Sequence, residues 1–128
     1  MRRYLCAAVG LVASSGEGEA QGTPGFKRTI LQKTEYPGDK YASILVSVDI
    51  EPNTFIPRHT HPGVESAFLT SGGTLSVKGR ADRLVKAGEG FQIAAETPHS
   101  LRNGPEATRI VVTYIVEKDK PLASPAPE

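Results

Sequence analysis

Cysteine is almost absent from this chain, and the single one, Cys6, lies near the amino terminus. Residues 1–20 have the features of a secretory signal peptide, because a basic start is followed by about ten apolar residues and then by small ones. Cleavage before Gln21 would remove Cys6, so the mature domain would have no disulfide, no thiolate metal ligand and no cysteine nucleophile. The apolar segment is too short to span a bilayer. The sequence therefore predicts a periplasmic or secreted protein; a disordered or helical amino-terminal extension is the alternative.

An excess of charge of either sign is also lacking, since the formal net charge is +1. The basic residues are dispersed, and no run is longer than Arg2-Arg3. A strong positive field would be needed to attract nucleic acid or an anionic membrane surface. We therefore predict neither nucleic acid nor a membrane as a partner.

Helical periodicity and tryptophan are missing too, whereas the chain has 13 glycines and 10 prolines. This composition favours short strands separated by turns. The clearest strand is Tyr41 to Ile50, where Ile44, Val46, Val48 and Ile50 alternate with polar residues. Further strands are predicted over 27–34, 54–61, 64–70, 74–78, 83–86, 90–93, 99–102 and 107–117. Many short strands at near-even spacing predict an all-β sandwich or barrel.

One domain accounts for residues 27–117, because no internal repeat is present. Residues 21–26 are rich in glycine and proline and are expected to form a flexible leader. Residues 118–128 contain three prolines and few apolar residues, which predicts a disordered, solvated tail.

All three histidines occur in two short stretches of the sequence. His59 and His61 are two apart, so a strand would direct both imidazoles to the same face. Glu65 follows a Pro-Gly break and can return beside them on the next strand, and His99 supplies a third imidazole. Three imidazoles and one carboxylate form a full set of protein ligands for a divalent transition metal. The predicted ligands are His59, His61, Glu65 and His99, and iron, manganese, zinc and nickel all remain open.

These residues resemble the two signature motifs of the cupin superfamily. The first motif, G-x5-H-x-H-x3,4-E-x6-G, is matched by His59, His61, Glu65 and Gly72, with Asn53 in place of the leading glycine. Asparagine can also adopt a turn with positive φ.

The second motif, G-x5-P-x-G-x2-H-x3-N, is matched by Gly88, His99 and Asn103. Ala94 and Glu96 stand where this motif has proline and glycine, which predicts a change in the turn before His99.

The resemblance covers about residues 29–116 and is closest to small, single-domain, often exported cupins. It implies a single cupin (jelly-roll) β-barrel with the metal ligands in its lumen, and a homodimer. It does not specify the function, because cupins include dioxygenases, isomerases, lyases, epimerases, sugar-binding regulators and storage proteins.

Strand alternation predicts which side chains share the lumen with the ligands. Its expected members are Ala67, Leu69, Phe91, Ile93, Leu101, Asn103, Ile110, Val112 and Tyr114. The opposite parity, with Val111, Thr113 and Ile115 inward, remains open for the last strand. Either choice gives a mostly apolar pocket suited to a small organic ligand.

Few residues besides the ligands have a predicted chemical role. Tyr114 is the candidate proton donor, with a core tyrosine as the alternative. Arg102 and Arg109 are candidates for holding an anionic substrate, although parity places Arg102 outside. Glu96 is expected to be exposed, and Asn103 is expected to be a turn residue.

Three functions are consistent with this site. The first is a metal-dependent enzyme of dioxygenase type acting on a small organic substrate. The second is a non-redox metal-dependent lyase or isomerase, and the third is a non-catalytic cupin that binds a small ligand or a metal.

Overall fold

The computed structural model describes residues 24–128, all of them in strands, turns or irregular segments. The predicted signal peptide and the leader up to residue 23 lie outside this range. The strands are β1 (Phe26–Glu35), β2 (Tyr41–Ile50), β3 (Phe55–Thr60), β4 (Gly63–Leu69), β5 (Gly73–Val77), β6 (Arg83–Val85), β7 (Gly90–Ile93), β8 (His99–Asn103), β9 (Thr108–Glu117) and β10 (Ser124–Pro125). Within residues 24–128, no helix has the length and apolar character needed to cross a membrane.

The strands form two five-stranded antiparallel sheets. The first sheet has the order β1-β2-β9-β4-β7, and the second has the order β10-β3-β8-β5-β6. Buried side chains from both sheets form one hydrophobic core. The predicted all-β jelly-roll fold is thus confirmed.

Strands β2 and β9 form the centre of the first sheet and show why this sequence forms strands. They pair along their whole length, from Tyr41 opposite Glu117 to Ile50 opposite Thr108. On β9, Ile110, Val112, Tyr114 and Val116 are buried, whereas Val111 is exposed. β-Branched residues pack well on such a half-buried pleated surface. The alternation also decides the parity that the sequence left open, because the even-numbered residues of β9 point inward.

The inward positions predicted on β4 and β8 are confirmed as well. Ala67, Leu69 and Leu101 are buried hydrophobic residues, and Asn103 is buried. Strand β1 begins earlier than predicted, because Phe26, which the sequence assigned to a flexible leader, is its first residue and is buried. Its ring removes apolar surface from water, which offsets the entropy of ordering that residue.

Two turn residues keep the backbone conformation that glycine adopts most easily. Asn53 and Glu96 both have φ of +57°, and both stand where the cupin motifs carry glycine. Asparagine tolerates this left-handed region, whereas glutamate adopts it at a cost. The backbone N–H of Glu96 donates to the carbonyl oxygen of His61 at 2.9 Å, and this bond holds the turn before His99 against His61.

The carboxyl-terminal segment is not the disordered tail that its composition predicts. Ser124 pairs with Thr60, and Pro125 pairs with His59, at the edge of the second sheet. The N–H of Ala126 donates to the carbonyl oxygen of Arg58 at 3.0 Å, and Leu122 packs against the core. The prediction failed because backbone groups of an edge strand can pair with a segment of almost any composition. Residues 118–128 therefore form a strap across β3.

Candidate metal centre

The three histidines come together at one place between the sheets. His59 lies on β3 directly opposite His99 on β8, after a register shift between Ile56 and His59. His61 follows the end of β3 on the same face as His59. The ring centroids are 4.8 Å apart for His59 and His61, 4.3 Å for His59 and His99, and 5.1 Å for His61 and His99. One ring nitrogen of each histidine lies within 4.8 Å of the others, so the predicted histidine cluster is confirmed.

Glu65 reaches the cluster from the opposite sheet. It lies on β4, opposite Tyr114 of β9. The approach depends on Gly63 at the start of β4, because a Cβ atom there would collide with the backbone of Ile115 and Val116. Glycine therefore allows the close approach of two strands that carries the carboxylate to the histidines.

Each histidine has its Nδ1 atom beside a backbone carbonyl oxygen. The acceptors are the carbonyl oxygens of Pro57 for His59, Leu122 for His61 and Thr97 for His99, at 2.7, 2.8 and 2.8 Å. A carbonyl can only accept, so we assign the proton of each neutral ring to Nδ1. Each Nε2 atom is then left with a free lone pair. Metal-binding histidines in proteins commonly have this arrangement.

The Nε2 lone pairs converge on a carboxylate oxygen. Glu65 Oε1 lies 3.1 Å from Nε2 of His61 and 3.0 Å from Nε2 of His99. All three residues are buried. The His61 contact lacks hydrogen-bond geometry, and its Nε2 has no hydrogen-bond partner among the described residues. Unprotonated nitrogens beside a carboxylate repel one another unless a proton or a cation lies between them.

A divalent cation fits this arrangement. Two neighbouring ligand atoms at about 2.1 Å from a metal and at right angles to one another are about 3.0 Å apart. The Glu65 oxygen has that spacing to the nitrogen of His61 and to that of His99, and the three histidines form a group that could hold an ion. A single carboxylic proton could satisfy only one of the two nitrogens, whereas a metal ion would satisfy all the donors.

The pKa values of His59 and Glu65 favour the protonation states that a metal needs. Burial, and then the positive charge that His99 and His61 would carry, lower the pKa of His59 to about 3. Burial alone would raise the pKa of Glu65, but its contacts with His61 and His99 outweigh that effect and lower it. His59 is therefore neutral and Glu65 ionised near neutral pH, as metal ligation requires.

Tyr114 forms part of the wall beside this cluster. It is buried, and its ring centroid lies 4.6 Å from that of His61. Burial, and then the negative charge of Glu65, raise the pKa of its hydroxyl. The phenol therefore keeps its proton near neutral pH. Tyr114 is a core residue, which is one of the two sequence alternatives, and it also borders the histidine cluster, which the other alternative, a proton donor, requires.

The cavity at the cluster is small and mostly apolar. Its volume is about 30 Å³, which is room for about one water-sized group. Aliphatic walls from both sheets include Val48, Ile56, Leu75, Leu101 and Val112. His59 is the only half-exposed member of the histidine cluster, so a ligand would enter beside His59.

The two arginines predicted to hold an anion lie elsewhere. Arg102 is exposed and its guanidinium lies 4.7 Å from the ring centroid of Phe55. Arg109 donates to Asp49 at 2.8 Å on the exposed surface. Neither faces the histidines.

Two polar residues near the ligands have the structural positions expected of them. Glu96 is exposed. The amide of Asn103 donates to the carbonyl oxygens of Ile50, Glu51 and Glu106, at 3.3, 2.8 and 3.0 Å. Asn103 thus holds a turn together.

One charged residue near the cluster was missed by sequence reasoning. Arg28 lies on β1 opposite Val48, in register, and therefore on the same face of the sheet. The sequence signal was available, since Phe26, Arg28 and Ile30 alternate on one face of β1. An arginine in an apolar alternation is usually taken as solvent-exposed, which hides such a position.

Comparisons with known proteins agree with this architecture. Residues 46–114 match the family model of the cupin domain. None of the curated proteins matches this chain in sequence.

Solved structures with the same fold include proteins of different activity. A polyketide cyclase from Streptomyces resistomycificus is 21% identical, with a TM-score of 0.61, over 87% of this chain and 78% of that one. A cupin-like protein from Thermotoga maritima is 19% identical, with a TM-score of 0.63, over 88% of this chain and 86% of that one.

The DMSP lyase DddQ from Ruegeria pomeroyi is 17% identical, with a TM-score of 0.65, over 84% of this chain. The chain spans 56% of that lyase, just over half its length. At such identities the likeness establishes the fold alone. The match of residues 46–114 to the cupin domain covers more than half of the sequence, and the chain therefore belongs to the cupin family.

Proposed function

We propose that this protein is a mononuclear metal-binding cupin and a metal-dependent enzyme of dioxygenase type that acts on a small organic substrate. His59, His61, Glu65 and His99 would hold one divalent transition metal. The observation that supports this most strongly is the convergence of two Nε2 lone pairs on Glu65 Oε1 at 3.0 and 3.1 Å. A proton between such groups satisfies one of the two nitrogens, whereas a cation satisfies both, and this favours a metal.

A bound divalent metal would supply Lewis acidity, and iron would add redox chemistry with dioxygen. The chain itself would contribute three things. Backbone carbonyls orient the imidazoles through their Nδ1 protons. Apolar walls exclude water from the cluster. Tyr114, whose pKa is raised by burial, would hold a proton beside the ligands.

The position of Tyr114 supports an enzyme over a simple binding protein. A metal-holding protein has no need for a proton donor beside its metal, whereas an isomerase, a lyase or an oxygenase commonly has one. Tyr114 lies against His61, with 4.6 Å between ring centroids.

Two alternatives have observations in their favour. The similarity of fold to the DMSP lyase and to the polyketide cyclase favours non-redox lyase or isomerase chemistry. The small cavity of about 30 Å³ favours a non-catalytic cupin that binds only a metal or a very small ligand.

The deciding experiment is metal analysis by mass spectrometry on untagged protein, followed by oxygen-uptake assays with small enolic and aromatic compounds. Stoichiometric iron with substrate-dependent oxygen consumption would support the dioxygenase. Stoichiometric zinc, manganese or nickel without oxygen consumption would favour the lyase, the isomerase or the binding protein. Protein without metal would refute the proposal.

The ligand assignment has its own test. His59→Ala should lose the metal, and Leu84→Ala, an exposed change on β6, should keep it. Full metal occupancy in His59→Ala would show that the ligand set is wrong.

Location and assembly are also proposals. From the character of residues 1–20 we propose export to the periplasm or the medium, which amino-terminal sequencing of protein recovered from those fractions would test. Because the resemblance to cupins implies a homodimer, we propose this assembly, which light scattering would test.

A further inference from the structure

A positive charge lies beside the candidate metal centre, and no carboxylate of residues 24–128 forms an ion pair with it. Arg28 is on β1 directly opposite Val48, and Val48 lines the cavity at the histidines. Directly opposite residues of an antiparallel pair point to the same face. Arg28 therefore points towards the cluster and away from the outer surface of the sheet.

The guanidinium of Arg28 is held in place by apolar contacts. Its Cζ atom lies 5.4 Å from the ring centroid of Phe26, within the range of a cation–π interaction. Phe26 is itself a buried core residue. This contact orients the side chain before any ligand arrives, so less conformational entropy would be lost on binding.

The half-buried guanidinium of Arg28 donates to the Tyr114 hydroxyl, but this leaves part of it without a partner. Its Nε atom is buried and has no hydrogen-bond partner among residues 24–128. Nε of Arg58 is also buried without a hydrogen-bond partner, but Glu128 lies 3.9 Å from Arg58. None of the ion pairs found within residues 24–128 includes Arg28. A buried donor without a partner costs stability, and a ligand that accepts from this donor would recover that cost.

Arg28 is close to the candidate metal centre. It donates to the hydroxyl of Tyr114, and the ring centroid of Tyr114 lies 4.6 Å from that of His61. Tyr114, His59 and Val48 all line the cavity at the histidines, so the Arg28 guanidinium lies beside that cavity.

The charges of the site call for an anion. A divalent metal held by three neutral imidazoles and the Glu65 carboxylate has a net charge of about +1, and Arg28 adds another positive charge. A carboxylate could accept two parallel hydrogen bonds from the guanidinium. The cavity of about 30 Å³ admits only a small group beside the metal, so the charged end of the ligand would lie at the entrance, near Arg28.

We infer that Arg28 is the anchor for a carboxylate group of the substrate, so that the substrate class is small organic acids. This inference rests on the metal-dependent function proposed above, and it adds a specificity residue that lies outside both cupin motifs. Arg102 and Arg109 have no such role because they face away from the cluster.

The test uses the full chain loaded with cobalt and titrated with acetate and with acetamide, which has nearly the same shape and no charge. Binding is read from the visible absorption of the cobalt. The unchanged protein should bind acetate more tightly than acetamide. Arg28→Gln should lose tenfold or more in acetate affinity, with acetamide affinity unchanged. Arg28→Lys keeps the charge without the bidentate geometry and should fall between the two.

Arg102→Gln is the matched control, because it makes the same change on the outer face. Its acetate affinity should equal that of the unchanged protein. Cobalt content, measured on every variant, shows whether only the inference about Arg28 fails or the proposed metal-dependent function fails with it. Equal acetate affinity in Arg28→Gln and the unchanged protein at full cobalt occupancy would overturn the inference alone, as would a lack of preference for acetate. Failure of the unchanged protein to bind any metal would overturn the proposed function and the inference with it.

Discussion

Removal of the carboxyl-terminal strap should weaken metal binding even though the strap contains no metal ligand. Stopping the chain after Lys120 removes Leu122, whose carbonyl oxygen accepts from Nδ1 of His61 at 2.8 Å. His61 is 2% exposed, so water can replace that acceptor only poorly. The ring would lose the contact that keeps its proton on Nδ1 and its Nε2 atom towards the metal. Losing such an outer contact typically costs 10- to 100-fold in metal affinity, or about 1.4 to 2.7 kcal/mol.

The assay is competition with a chelator at neutral pH, and the control is a chain that stops after Ala126. That control keeps the Leu122 carbonyl, the pairing of Ser124 and Pro125 with β3, and the bond from Ala126 to Arg58. It loses only the 3.9 Å contact between Arg58 and Glu128, a surface ion pair worth little. Equal metal affinity in the two shortened chains would refute the role of the strap.

A loss of folding would also lower metal affinity, so a third variant separates the two effects. Leu122→Ala removes the side chain that packs on the core but keeps the carbonyl oxygen. It should lower the melting temperature and leave the metal affinity within about threefold of the full chain. If Leu122→Ala loses both stability and metal affinity, the effect of the strap comes from the packing of Leu122 and not from its carbonyl oxygen.

Three further predictions concern the ligands, pH and the core. Glu65→Gln keeps the shape of the side chain and removes its charge, so metal affinity by chelator competition should fall at least tenfold while circular dichroism stays the same; unchanged affinity would remove Glu65 from the ligand set. The metal-free protein should lose stability as the pH falls below about 6.5, because the pKa of His59 is about 6.5 in the unfolded chain and about 3 in the folded one. The lowered pKa of Glu65 adds a loss below about 4.5. A urea midpoint that stays constant from pH 7 to pH 4 would contradict the shift of His59, and one that stays constant below pH 4.5 would contradict that of Glu65. Leu69→Ala, at a fully buried position, should reduce the free energy of unfolding by about 2–5 kcal/mol, whereas Leu84→Ala, at an exposed one, should change it by less than about 0.5 kcal/mol.

Alternation along the strands and the resemblance to the cupin motifs together predicted the histidine cluster. A period of two placed His59 and His61 on one face and Leu69 and Leu101 inside, but it left open the parity of the last strand and therefore the direction of Tyr114. These predictions succeeded because each inward face is buried, and a slip by one residue would expose an entire row of apolar side chains. Local pattern and global burial thus point to the same answer.

The strap was missed because it has no local signature, and Arg28 was missed because an arginine in a short apolar alternation is usually taken as solvent-exposed. A backbone carbonyl is present in every residue, so nothing in the side chain of Leu122 marks it as an acceptor for His61, 61 positions earlier. Arg28 is a polar residue in a strand whose apolar positions are sparse. Its inward direction follows only from its register with Val48, which depends on a long-range pairing.

Two departures from the cupin motifs had little effect on the backbone for a physical reason. Asn53 and Glu96 replace glycine and still adopt φ of +57°. For Glu96 the strain is offset by the hydrogen bond from its N–H to the carbonyl oxygen of His61. The change of turn expected before His99 is thus limited by a contact with the ligand stretch itself.

The way the histidines are oriented makes the candidate metal site depend on the backbone more than on neighbouring side chains. All three Nδ1 atoms donate to backbone carbonyls, so the side chains of Pro57, Thr97 and Leu122 can vary without disturbing the ring tautomers. The site then depends on strand pairing, which a fold retains at 17–21% identity. The groups that would meet a substrate, Arg28 and Tyr114, are single side chains outside both motifs. A substitution at either would change the substrate or the proton transfer and leave the metal in place. Differences in function among such proteins should therefore concentrate at the positions equivalent to these two residues, and substitution of Arg28 should alter ligand preference before it alters metal content.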